Sequence, residues 1–243
     1  MRGMCTGVSG DKVRHDVTDA MLLYHGTKES SLAGILVDGI RPRSPDSEGN
    51  HAGTVPELKS REGMVYLSSS GSVQYAEMAA GSGRYLILEI DSNRLKESDM
   101  LPDEDTIVHE ALYLERVAPG PDYLNRYKEM LPRVDQFEHQ ERWKELLEGG
   151  GTVAHHGIIP PGAITRYALI EPSLAPRFLE IHSTLAFLAS ARKGMRHRFL
   201  ALPAYIFDGN VEPLFQGNDL EQIGPRLNEL RAEWLCAFQI TRR

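Results

Sequence analysis

Two cysteines among 243 residues, Cys5 and Cys236, are too few for a disulfide framework or a structural zinc site, and no Cys-x-x-Cys occurs. That shortage suits a reducing compartment. Nothing approaches the roughly 18 consecutive apolar residues of a membrane span, and Met1-Arg2-Gly3-Met4 opens without the apolar run of a secretory signal. The expectation is a cytoplasmic protein with no membrane partner. Several chemistries lack their fingerprints. Gly81-Ser82-Gly83 is not followed by the Gly-Lys-Ser/Thr of a phosphate loop, there is no Gly-x-Ser-x-Gly elbow, and the glycine pattern of hydride-transfer enzymes is missing. Basic charge is also scarce. With 27 Lys and Arg against 34 Asp and Glu, a net charge of -7 argues against coating nucleic acid through bulk charge. The local exception is Arg192, Lys193, Arg196 and Arg198, a cluster suited either to touching phosphates or to ending a solvated helix. No metal site is expected: His155 and His156, being adjacent on a strand, point to opposite faces and do not easily share an ion with His139 or His109.

What the chain does have is enough apolar content, 41%, to bury a full core. Residues 1–20 carry glycine, serine and charge with little periodicity and read as a loose arm. From Met21 the order is strand, helix and loop. Leu22 to Thr27 forms a strand, and Leu32, Ile35 and Leu36 give a helix ended by Gly39. The stretch Arg41 to Arg61, rich in Pro, Gly, Ser and charge, has the length of a binding lid or a mobile loop. A second strand, Val65 to Leu67, precedes a helix through Val73, Tyr75, Ala76 and Ala79 that stops at Gly81. Tyr85 to Ile90 is too continuously apolar to face water on either side and should be central in a sheet. Amphipathic helical spacing runs from Pro121 to Leu147 with a break near Pro132, and two further strands cover Thr152 to His155 and Ile164 to Ile170. From about Pro172 the pattern turns helical, at Phe178 to Ala191 and Leu220 to Ala237, giving a C-terminal extension over 172–243. Neither an internal repeat nor a low-complexity tract occurs.

Two strand ends carry the chemistry. Leu22-Leu23-Tyr24-His25-Gly26-Thr27 and Met64-Val65-Tyr66-Leu67-Ser68-Ser69-Ser70 each run from apolar to small polar residues, so His25 and Tyr66 fall at neighbouring strand ends beside adaptable backbone. Together with Asp38-Gly39-Ile40, the strand Leu86 to Asp91, and Ile158-Ile159-Pro160-Pro161 with Ile164, these pieces over residues 21–171 resemble the ADP-ribosyltransferase superfamily, in the branch with a His-Tyr-Glu type triad. The resemblance implies an α+β fold of two packed, mainly antiparallel sheets with flanking helices, and NAD as co-substrate. His25 would bond the ribose beside nicotinamide, Gly26 would let backbone approach the carboxamide, Thr27 and Ser68 would add hydroxyls, and Tyr66 would lay its ring on nicotinamide. Tyr75 on the next helix is counted with this NAD-binding set.

The chain departs from the pattern at the carboxylate, since Thr152 stands where the resemblance implies Glu. Three substitutes compete. Glu148 lies four residues upstream, before the run Gly149-Gly150-Gly151, and is otherwise a solvated helix end. Glu104, in Pro102-Asp103-Glu104-Asp105, reads as part of a loop, either in the site or in a solvated acidic turn. His155 and His156 lie on the right strand and, though neither supplies negative charge, one of them can act as a base. The expected activity is mono-ADP-ribosylation of a macromolecular acceptor, nucleic acid (RNA or DNA) slightly ahead of protein, and a toxin of this kind would need an inhibitor or antitoxin partner. Two alternatives stand beside it: an RNA 2′-phosphotransferase-like enzyme, whose pattern has a His where Tyr66 stands, and a catalytically inactive module that binds NAD or ADP-ribose.

Overall fold

The structure, a computed structural model, describes residues 21–44, 60–69, 72–118, 120–136, 142–148, 152–174 and 239–242. Seven strands make one sheet: β1 (Leu22–Lys28), β2 (Met64–Ser68), β3 (Tyr85–Asp91), β4 (Met100–Pro102), β5 (Thr152–His156), β6 (Ile164–Ile170) and β7 (Gln239–Arg242). Their order is β4-β5-β2-β1-β3-β6-β7, and every neighbouring pair is antiparallel. Helices α1 (Leu32–Asp38), α2 (Ser72–Ala80), α3 (Glu104–Leu114), α4 (Pro121–Met130) and α5 (Trp143–Glu148) complete a mixed helix and strand architecture compatible with the α+β class. No described helix is long and apolar enough to cross a membrane.

Tyr85 to Ile90 is buried throughout and lies between β1 and β6, where a strand apolar on both faces belongs. Its even-numbered members Leu86, Leu88 and Ile90 share one core with Leu23, Val65, Leu67, Val153 and Ile159, and Trp143 and Leu147 of α5 pack into it. A second core joins α3 and α4 through Ile107, Val108, Leu112, Tyr127 and Met130. Gly39 ends α1 with φ of 86°, and an added Cβ there would fall 2.2 Å from the Ile159 carbonyl oxygen. Only glycine fits that approach, which lets Ile40 and Ile159 exchange backbone hydrogen bonds of 2.9 and 3.0 Å.

The expectation of two packed sheets is corrected. The described strands form one continuous sheet, but its seam is thin: β1 meets β2 through the single register pair Tyr24↔Ser68, whereas β1 meets β3 over seven pairs. One half, β4-β5-β2, thus joins the other, β1-β3-β6-β7, through one pair, and the apolar pattern of each strand cannot distinguish so short a seam from a break. The expected helix over 121–147 is α4, a 3-10 turn from Leu131 that accommodates Pro132, and α5. The N-terminal arm, most of the 41–61 loop and the helical patterns at 178–191 and 220–237 lie outside the described residues. The chain's last described segment returns to the sheet as β7, with Ala168 opposite Ile240.

Candidate functional site

Past Tyr24 the ladder between β1 and β2 stops, and a side chain takes its place: His25 Nδ1 lies 2.9 Å from the Tyr66 carbonyl oxygen. A carbonyl only accepts, so Nδ1 carries the hydrogen and Nε2 of the neutral ring keeps its lone pair. Burial holds the His25 pKa below the usual histidine range; the bond to Tyr66 opposes this and the charge of Arg43 adds to it. Near pH 7 the ring is therefore neutral with Nε2 an acceptor, and the neighbouring Gly26 and Thr27 are half-buried.

On β2, Val65 and Leu67 point into the core, so by strand alternation Tyr66 and the buried Ser68 belong to the other face. The Tyr66 hydroxyl donates to Glu104 Oε1 in a short contact, and the Arg61 backbone N–H donates to the same oxygen at 3.3 Å. Burial, then the Glu104 charge, push the phenol far above its ordinary pKa, so it stays a donor.

Glu104 was expected in a loop and is instead the first residue of α3, buried at 3% exposure. Its helix starts with Asp103 as cap, whose Oδ1 accepts the Asp105 N–H at 2.9 Å. Burial raises the Glu104 pKa, the bonds from Tyr66 and backbone N–H groups offsetting part of the rise. Its second oxygen, Oε2, is buried and has no hydrogen-bond partner among the described residues, an uncommon state for a buried carboxylate.

Thr152 faces this acidic turn. Its hydroxyl donates to Asp103 Oδ2 and lies 3.2 Å from the Thr106 hydroxyl. Since Thr152 has one hydrogen, given to Asp103, Thr106 is the donor in the second bond. Asp103 is pushed up to about 7, first by burial, then by Asp105 and Glu104, against the bonds from Thr152 and the Asp105 N–H. Tyr75, partly open at the surface, has its phenol pushed up to about 12 by burial of the ring and by Asp103 and Asp105, with nearby Thr152 opposing.

The structure thus sets the Tyr66 hydroxyl on Glu104 and His25 on the Tyr66 carbonyl, with Gly26 and Thr27 on β1, Ser68 on β2 and Tyr75 on α2. It separates His155. The register sets Thr152, Ala154 and His156 on one side of β5, with Ala154 opposite Tyr66, and His155 on the other side opposite Val65 and Met100. His155 is buried there, and burial lowers its pKa. Glu148 is the last residue of α5, and its side chain lies outside the described residues. Asp103 and the Arg61 backbone were not foreseen. The signal for Asp103 was available: a capping Asp, acidic residues at the next two positions, and then Ile107, Val108, Ala111 and Leu112 at helical spacing mark a helix start. Among the described residues, no group of three His, Cys, Asp or Glu side chains is placed to hold a metal ion.

No protein-family model matches the chain, and no curated protein matches it. Solved structures do match, among them a chain described as EcPltA, which is 14% identical and superposes with a TM-score of 0.34 over 63% of this chain and 77% of that one. A likeness of that degree sets neither the chemistry nor the ligand of this site.

Proposed function

We propose that the protein is an NAD-dependent mono-ADP-ribosyltransferase whose triad is His25, Tyr66 and Glu104. The observation that carries this reading is the buried, unpartnered Oε2 of Glu104 in the carboxyl group that Tyr66 holds. His25 supports it from across the seam with Nε2 left as an acceptor nitrogen by the Nδ1 bond to the Tyr66 carbonyl. These groups suit a ribose whose hydroxyls need acceptors: His25 Nε2 for one and Glu104 for another. Gly26 leaves room for a carboxamide against backbone, and Tyr66 offers a flat apolar wall that excludes water from the bond to be broken. Leaving of nicotinamide takes the bonding electron pair with it and builds positive charge on the ribose, the charge development familiar from glycoside hydrolysis. Ionised Glu104, held in a low-dielectric turn, stabilises that charge more than a solvated carboxylate would. A nucleophile of the acceptor then bonds to the same ribose carbon, its proton passing to the Glu104 carboxylate. The acceptor is macromolecular, with nucleic acid ahead of protein on the strength of Arg192, Lys193, Arg196 and Arg198 in the sequence.

One observation favours a second reading. Thr152 in place of Glu, together with burial that favours the neutral form of Glu104, suits a module that binds NAD or ADP-ribose without turnover. Mass spectrometry of the pure protein with NAD and, separately, total RNA, single-stranded DNA or lysate protein distinguishes the two. Release of nicotinamide with ADP-ribose added to one acceptor class is the expected result, and Glu104→Gln should slow it by about 100- to 1,000-fold, the usual effect of losing a charge-stabilising group. NAD bound but intact in every mixture would support the module. Loss of the 2′-phosphate from a phosphorylated RNA would point instead to a 2′-phosphotransferase.

A further inference from the structure

We propose that Asp103 and Thr152 are positioning residues that aim Glu104 at Tyr66, so that a strand position lacking the expected carboxylate now anchors a helix that supplies one. This inference rests on the transferase reading above. Three bonds carry it. The Asp103 Oδ1 atom caps α3 through the Asp105 N–H at 2.9 Å, Oδ2 accepts the Thr152 hydroxyl, and Thr106, one turn into the helix, donates to Thr152. Thr152 is paired with Ser68 across β2 and β5, two residues along β2 from Tyr66. One hydroxyl thereby ties the first turn of α3 to the strand pair that carries Tyr66. Glu104 follows Asp103 directly, so its backbone position is set by that tie while its side chain reaches the Tyr66 hydroxyl. Both Asp103 oxygens are engaged, whereas Glu104 keeps an oxygen without a partner. The division of labour follows: Asp103 fixes and Glu104 is left to meet ligand. A Glu at position 152 would project into the space where Asp103 already sits, and two buried carboxylates there would repel.

Displacing a reacting group by about an ångström costs up to roughly 100-fold in rate. Thr152→Val keeps the shape of the side chain and removes the hydroxyl. It should lower kcat for nicotinamide release by about 10- to 100-fold while the KM for NAD moves by less than about threefold, and Thr152→Ser should restore kcat. Asp103→Ala should behave as Thr152→Val. Asp103→Asn, whose Oδ1 can still cap and whose amide can donate to Thr152, should recover part of that loss. A purely stabilising role would lower the melting temperature of Thr152→Val without touching kcat at a temperature where both proteins are folded, and that result overturns the proposal. A second readout is independent of turnover: the NMR signal of tyrosine labelled at its hydroxyl-bearing ring carbon, with Tyr66 assigned by its loss in Tyr66→Phe. Thr152→Val should shift the Tyr66 signal toward that of a tyrosine without a carboxylate partner. An unmoved signal with unchanged kcat rejects the positioning role. A moved signal in a protein whose wild type releases no nicotinamide supports the tie and rejects the transferase reading.

Discussion

Two glutamates of this molecule are equally hidden, Glu89 in β3 and Glu104 at the start of α3, each 3% exposed, and the protein treats them in opposite ways. Glu89 is surrounded. Arg166 grips it with two parallel bonds, Nε to Oε1 and Nη2 to Oε2, both 2.7 Å; Thr165 donates to Oε1 at 2.7 Å and the Tyr24 hydroxyl reaches Oε2 at 3.5 Å. Glu104 receives a phenol and a backbone N–H on one oxygen and has none on the other. Burial alone therefore does not distinguish a carboxylate that holds a fold from one that waits for a ligand. On the proposed function, satisfaction of the second oxygen does.

The comparison is broken most directly by removing the guanidinium. Arg166→Ala leaves the Glu89 charge in the interior with only hydroxyl partners, and losing one member of a buried pair typically costs about 3 to 5 kcal/mol. Urea denaturation should show a loss of that size. The double substitution Glu89→Met with Arg166→Met should recover most of it, because no charge is then stranded. If the single variant loses little, Glu89 is not a structural carboxylate and the contrast with Glu104 fails.

A somewhat smaller effect concerns pH. Folding raises the Asp103 pKa from an ordinary 3.8 to about 7, so between those values the folded chain holds a proton that the unfolded chain releases. Stability is then highest below about pH 4 for this group and falls as pH rises through 7, by an amount on the order of 4 kcal/mol. Glu104, raised in the same direction, has the same sign. The expected outcome is that the stability of the wild type relative to Asp103→Asn declines from pH 4 to 7, a difference from which the opposite contributions of His25 and His155 cancel. A difference that rises over that range instead would mean that this turn is paired in the folded state. With Oδ1 already holding the Asp105 N–H, the proton goes to Oδ2 and reverses the bond to Thr152.

Glu104→Gln comes next in size. An amide in that place removes a burial cost and keeps an acceptor for Tyr66, so equilibrium stability at pH 7 should change by no more than about 1 kcal/mol, while the expected loss of nicotinamide release is large. A destabilisation as great as that of Arg166→Ala would make Glu104 another structural carboxylate and remove the distinction on which the site assignment stands.

How far the sequence alone reaches differs between these two regions. The strand of Glu89 was legible as central because six consecutive residues from Tyr85 carry a buried pattern, and a period of that kind survives without knowledge of neighbours. His25 and Tyr66 were legible as a pair because each ends a short apolar strand. Their meeting across a one-pair seam was not, since pairing length depends on how the two sheet halves twist apart. Glu104 stood among the candidates, yet its acidic surroundings suggested a solvated turn. Its partners are Tyr66 and the Arg61 backbone, with Thr152 on the adjoining Asp103, contacts far apart in sequence that no local pattern encodes. The alternative His155 was excluded from the Tyr66 side by strand register alone, one residue deciding the face.

The smallest expected effect tests whether burial, rather than fork geometry, gives Arg166 its weight. Arg126 makes the same two-pronged contact with Glu115, Nε to Oε2 at 3.1 Å and Nη2 to Oε1 at 3.2 Å, and adds Glu129 at 3.0 Å, but its side chain is 40% exposed where that of Arg166 is 13% exposed. Water already solvates those charges in the folded and unfolded chain, so the bond replaces hydration instead of rescuing a stranded charge. Arg126→Ala should leave the denaturation midpoint within experimental scatter of the wild type, and whatever difference appears should vanish in high salt, which screens exposed pairs and spares buried ones. A loss rivalling that of Arg166→Ala and persisting in high salt would show that the geometry of the fork, and not its removal from water, sets the strength of both pairs. Glu89 and Glu104 would then differ by the geometry of their bonds and not by what surrounds each carboxylate.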